Sequence, residues 1–261
     1  MLKKAQIITS IIVLGVVLGA LLWEPVLKGL FVKKPLIEKL IVGTDATYRP
    51  MEYFDDAGNF TGMDIDIAKE IASDLGAEIE FRNLAWEGIF DTLQAGEVQM
   101  LISSITITPE RAQTMDFSNP YFNAGQVVVT TADKAAGIGG VEDLDGKKVG
   151  AQVKTTSEVE AKKSTDPSLV KSFADNDLAK SALLNGVIDA IITDYPAAIG
   201  MVSGEATLRI IGEPFTQEFY GVAVKKGEEK LLAEINKTIR RLKEEGKLRE
   251  LEQEWLSPAT E

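Results

Sequence analysis

From residue 41 onward, short apolar runs alternate with stretches of helical periodicity, and this alternation restricts the chain to an α/β architecture with mainly parallel sheets. Ile41-Val42 opens a strand that Gly43-Thr44-Asp45 ends. Ile65, Ala68, Ile71, Ala72 and Leu75 then recur at helical spacing, with Gly76 where a C-cap belongs. Trp86 to Ala95 repeats the pattern through Ile89, Phe90 and Leu93 and stops at Gly96. Met100-Leu101-Ile102 is a short buried-strand signal. Thr108-Pro109 starts a helix, with threonine as N-cap, proline at the first helical position and Arg111 at the third. Further strands are predicted at 126–131, 149–151, 188–193 and 221–224, with a helix beginning at Glu158. One long amphipathic helix is expected to close the chain, its buried stripe formed by Leu231, Leu232, Ile235, Ile239, Leu242, Leu248, Leu251 and Trp255. In sheets of this class, ligands bind beyond the carboxyl ends of the strands.

Composition removes much chemistry. The chain has no histidine and no cysteine, so a Ser-His-Asp triad, a thiol nucleophile and a disulfide are excluded. Imidazole and thiolate metal sites go with them, and no lipid can be attached through a cysteine. No cofactor and no metal site is expected: Asp64 and Asp66 lack the remaining ligands of a calcium loop and read as first-turn helix carboxylates. Gly137-Ile138-Gly139-Gly140 reads as a linker, being too short for a phosphate fingerprint. A net charge of −12 repels phosphate backbones, so nucleic acid is not an expected partner.

The N-terminus carries a targeting signal. Lys3 and Lys4 precede the uncharged, mostly apolar run Ala5–Trp23, which as a helix would reach about 28 Å, close to the ~30 Å hydrocarbon core. Residues 1–23 are therefore read as a signal sequence or a membrane anchor, with no clear cleavage site after Gly19-Ala20. Residues 24–40, with Pro25, Pro35 and four lysines, read as a tether. Lys28, Lys33, Lys34 and Lys39 outnumber Lys3 and Lys4, so charge alone does not orient the segment.

Four polar clusters fall at strand ends or helix starts: Asp45 with Tyr48, Ser103-Ser104-Thr106 with Arg111, Gln152 with Thr155-Thr156-Ser157, and Asp194. A zwitterion needs such groups. Its carboxylate wants a guanidinium fork and backbone N–H groups at a helix N-terminus, and its ammonium wants a carboxylate. Burying either ion unpaired costs several kcal/mol. Arg111 and Asp194 have the required chemistry, although Asp194 would equally serve as a turn cap ahead of Pro196, and Trp86 as a core aromatic.

The ordered motifs resemble family 3 of the periplasmic solute-binding proteins, the polar amino-acid receptors of ABC importers. The resemblance rests on Gly43-Thr44-Asp45-Ala46-Thr47-Tyr48-Arg49-Pro50 with Glu52-Tyr53, on Gly62-Met63-Asp64-Ile65-Asp66, and on the run from Ser103 through Arg111 to Tyr121. Asp143-Leu144-Asp145-Gly146-Lys147, Val149-Gly150, Asp189-Ala190 and Asp194 continue it. It implies a two-lobed, type II periplasmic-binding-protein (Venus flytrap) fold behind the N-terminal hydrophobic helix. Lobe 1 would span 41–121 and 220–258 and lobe 2 125–215, with hinges near 122–124 and 216–219.

The resemblance also assigns roles. Arg111 would grip the ligand carboxylate with backbone N–H groups at Thr106 and Thr156. Asp194 would hold the ammonium with the Ser104 carbonyl and the Thr106 hydroxyl. Tyr48 and Trp86 would sandwich the ligand side chain, and Asp45, Ser103 and Gln152 would face its polar end. That environment suits arginine, lysine or histidine first and glutamine second. Lys154 is a departure, since the family usually has glycine before this Thr-Thr pair. The protein implied is a non-enzymatic, monomeric receptor in the periplasm or on the outer face of the cytoplasmic membrane, handing its amino acid to the importer's membrane subunits. Competing readings are a cyclohexadienyl (prephenate or arogenate) dehydratase on the same scaffold and a sensor input domain.

Overall fold

The computed structural model describes residues 36–256, and the expected N-terminal signal or anchor and most of the expected tether lie outside them. Two mixed five-stranded sheets organise the chain. The first has the order Glu78–Asn83, Lys39–Thr44, Met100–Leu101, Ala223–Lys225, Met115–Phe117. The second has the order Val170–Phe173, Val149–Gln152, Ala190–Asp194, Gln126–Thr131, Leu208–Ile211. In each sheet the first three strands are parallel, as the alternation predicts. One strand in each sheet departs from that expectation. Ala223–Lys225 runs antiparallel to both its neighbours, and Gln126–Thr131 does the same. Both strands enter their sheet directly after a crossover between lobes, without the intervening helix that would force a parallel return.

Each sheet is covered on both faces. The helices Met63–Leu75, Glu229–Glu244 and Lys247–Leu256 close one face of the first sheet around Met100, Ile102, Val222 and Val224. Ile89–Ala95 covers the other through Ile89 and Leu93. In the second lobe Asn176–Leu184 and Tyr195–Val202 pack one side, and Thr156–Ser164 the other. These are the two lobes of an α/β binding-protein fold.

The chain crosses between lobes twice, and the crossings are tied together. Phe122–Asn123 pairs antiparallel with Phe219–Tyr220, and the Ala124 N–H donates to the Glu218 carbonyl at 2.7 Å.

Local signals were mostly followed. Gly76 and Gly96 cap their helices in the left-handed conformation, at φ 65° and 75°. The single closing helix is in fact two, Glu229–Glu244 and Lys247–Leu256, because Gly246 takes φ 76° and interrupts the ladder. The helix expected from Glu158 starts at Thr156, since the Thr155 hydroxyl accepts the Glu158 N–H. The segment after Thr108 is shorter than a full helix: Arg111–Thr114 is one turn, with the Thr108 hydroxyl accepting the Arg111 N–H at 3.2 Å.

Candidate functional site

A cavity lies between the lobes, lined by residues of both. Its lining includes Asp45, Tyr48, Trp86, Ser103, Ser104, Thr106, Arg111, Gln152, Thr156 and Asp194, so every residue singled out from the sequence faces one space.

Arg111 approaches from the first lobe. Its short helical turn projects the side chain back along the chain, where Nη1 donates to the Thr106 carbonyl at 2.8 Å. The guanidinium lies over the rings of Trp86 and Phe90, with Cζ 5.3 and 5.2 Å from the centroids. Arginine carries five N–H donors in a rigid fork, so this anchoring leaves others for the cavity. Burial holds the guanidinium below its ordinary pKa, and the carboxylates of Asp194 and Glu218 oppose that shift.

Asp194 approaches from the second lobe, at the end of Ala190–Asp194 and one residue before the helix Tyr195–Val202. It makes no side-chain cap to that helix. Instead Oδ2 accepts from the Tyr220 hydroxyl at 2.5 Å and the Tyr48 hydroxyl at 3.2 Å, and Oδ1 from Ser157 at 3.4 Å. Burial pushes its pKa up to about 6, aided by Glu218, while the Tyr220 and Tyr48 hydroxyls and Arg111 pull it down. This is a buried anion with hydroxyl donors around it and a guanidinium nearby.

The remaining expected residues differ in how free their polar atoms are. The Asp45 carboxylate takes the Thr47 hydroxyl at 2.9 Å. Burial raises its pKa, while the Thr47 hydroxyl, the Trp86 backbone N–H and the Gln152 amide oppose the rise. The Ser103 hydroxyl accepts the Asp45 N–H at 2.9 Å and donates to Glu52 at 3.0 Å. Ser104 donates its hydroxyl to the same carboxylate at 3.1 Å. Thr156 is the first residue of its helix, where backbone N–H groups are unsatisfied by the helix itself, and its hydroxyl accepts from Gln126 at 3.0 Å.

Thr155 and Ser157, named with the second-lobe polar cluster, line the cavity as well. Sequence reasoning gave no role to Glu52, Asn176 and Thr193, which complete the lining. Glu52 and Asp64 form a buried carboxyl pair beneath it, both with pKa values raised by burial. Asp64 is a first-turn helix carboxylate, as expected, but a fully buried one. Its Oδ2 accepts the Ser104 N–H at 2.7 Å and the Tyr121 hydroxyl at 2.9 Å, which holds Ser104 at φ 50°, a strained conformation for a non-glycine residue. Glu218, by the crossover, accepts from Gln126 at 3.2 Å. Among the described residues no group of acidic side chains could hold a metal ion.

Lys154 occupies φ 58°, the left-handed region that glycine would fill without strain. Its Nζ lies 2.9 Å from Glu87 of the other lobe, so the departure from the family pattern places an exposed ion pair across the mouth of the cleft.

The chain matches the sequence profile of the bacterial extracellular solute-binding proteins, family 3, over residues 40–258. The L-cystine-binding protein TcyJ of Escherichia coli (strain K12) is 32% identical over 217 residues, 83% of this chain and 82% of that protein. The ABC transporter glutamine-binding protein GlnH of Bacillus subtilis (strain 168) is 36% identical over 204 residues, 77% of this chain and 74% of its own. The solved structure of an ancestral arginine-binding protein bound to arginine is 40% identical, with a TM-score of 0.79 covering 84% of this chain and 99% of that one.

Proposed function

The chain belongs to the bacterial extracellular solute-binding proteins, family 3, and on that premise we propose that it captures one free L-amino acid between its lobes and delivers it to an ABC importer. One observation carries this reading: a guanidinium from one lobe and a carboxylate from the other face the same cavity. Arg111 takes the α-carboxylate with the N–H groups at Thr106 and Thr156, and Asp194 takes the α-ammonium. Each lobe then supplies one counter-charge, and only the closed molecule supplies both. Binding energy therefore favours closure, and the importer reads the closed form. The protein works outside the cytoplasm, as a monomer, held or exported by its N-terminal apolar run, and it turns nothing over.

The side-chain end of the cavity favours a cationic ligand. Asp45 is acidic, and Tyr48 and Trp86 supply aromatic faces, each worth on the order of 0.5–2 kcal/mol to a guanidinium. Arginine, lysine or histidine is the expected ligand, with glutamine next. Titration calorimetry against the twenty amino acids tests the reading. Binding of a basic amino acid is expected, and silence from all twenty overturns it. A response confined to acidic or branched aliphatic ligands removes the basic preference alone. Steady product formation from prephenate or arogenate would make the protein an enzyme.

A further inference from the structure

The helix Tyr195–Val202 of the second lobe has a glycine in its interior, at position 200, although glycine is among the poorest helix formers. Its backbone is not left-handed, so conformational need does not explain it. Close approach does. A Cβ built on Gly200 would stand 2.3 Å from the Arg49 carbonyl oxygen and 2.9 Å from its carbon. Arg49 belongs to the first lobe, in the turn between Thr47–Tyr48 and Glu52–Phe54. The contact therefore crosses the cleft.

That turn cannot retreat from an added side chain. Within its own lobe Gly62 packs so closely on it that a Cβ there would lie 2.2 Å from the Met51 carbonyl oxygen. The Asp64 N–H donates to the same oxygen at 2.9 Å, and Met63 to Pro50 at 3.3 Å. The Arg49 side chain folds onto its own lobe, over the Tyr53 ring at 4.0 Å and against the Phe54 carbonyl at 3.2 Å. The turn is approached closely by two glycines, one from each lobe.

Position then ties this contact to the site. Arg49 directly follows Tyr48, and the helix holding Gly200 directly follows Asp194. The same two segments that meet at Arg49 and Gly200 meet again where the Tyr48 hydroxyl reaches Asp194 at 3.2 Å. We propose that Gly200 is a closure notch: the missing side chain lets the second lobe seat on the Arg49 carbonyl, and so lets Asp194 join the first-lobe half of the cavity. A side chain at 200 props the lobes apart and takes the ammonium site to pieces, while each lobe stays folded. The effect on ligand rests on the receptor reading above; the effect on closure does not.

Three measurements test it. Gly200→Ala and Gly200→Val are titrated with arginine, lysine, histidine and glutamine, and melted without ligand. Affinity for whatever the parent protein binds should fall at least about tenfold for alanine and about a hundredfold for valine, with ligand-free melting unchanged or raised, alanine being the better helix former. Independently of ligand, Glu87→Cys with Lys154→Cys places two thiols across the cleft of a chain that has no other cysteine. Cross-linking by a short bis-maleimide should slow at least about tenfold when Gly200→Val is added. Equal cross-linking rates, unweakened binding in the valine variant, or a lowered ligand-free melting temperature overturns the notch. If the parent binds no amino acid yet cross-linking still depends on residue 200, the receptor reading fails and the notch stands.

Discussion

Asp194 has to act as an anion where burial holds its carboxyl protonated up to about pH 6. Its ordinary value is 3.8, so between those limits the folded protein keeps a proton that the unfolded chain has released. From this group, stability without ligand falls as pH rises through that window and levels off above it. An incoming ammonium reverses the preference, because it needs the charged carboxylate. Affinity should be flat above about pH 7 and weaken about tenfold by pH 5, measurable by calorimetry across that range; an Asp194→Asn variant should bind weakly and lose the slope. Arg111→Ala removes the other counter-charge and uncovers the faces of Trp86 and Phe90. Losing one partner of a buried charge pair costs about 2–5 kcal/mol, so binding of every amino acid should fall at least about thirtyfold. An unchanged affinity would remove Arg111 from the carboxylate site.

Elements decide where these atoms point, and here the sequence was only partly legible. Gly76 and Gly96 announced their caps because a left-handed cap is a local event. Gly246 sends the same signal, but an amphipathic stripe continuing from Leu242 to Leu248 masked it, and the break shows only in the backbone. Motif order was enough to gather the ten cavity residues. It could not show what stands behind them, since Tyr220 reaches Asp194 across 26 residues and Tyr48 reaches it across 146. No local pattern encodes pairings that the fold alone brings together, and the same holds for the Asp64 that positions Ser104. The start of Thr156–Ser164 is a testable case. The Thr155 hydroxyl accepts from Glu158 at 3.2 Å and donates to the Gln152 carbonyl at 2.7 Å. Thr155→Ala should cost about 1 kcal/mol, lowering the melting temperature by about 2–4 °C, and should weaken binding severalfold as the Thr156 N–H loses its aim. Thr155→Ser should restore both in calorimetry.

At the scale of the molecule, ligand and fold are coupled by mass action. A ligand at a hundred times its dissociation constant stabilises the closed protein by about 2.7 kcal/mol, which for a chain of this size raises the melting temperature by about 5–10 °C. A thermal scan with saturating arginine should show that rise and Arg111→Ala should abolish it.

The first sheet is completed only by Ala223–Lys225, which sits between strands more than a hundred residues upstream. The second sheet draws all its strands from 126–211. As the chain emerges from its N-terminal end, then, the middle of the polypeptide can finish its own sheet while the earlier segment waits for the tail to complete the first. The part made first is the last to become whole.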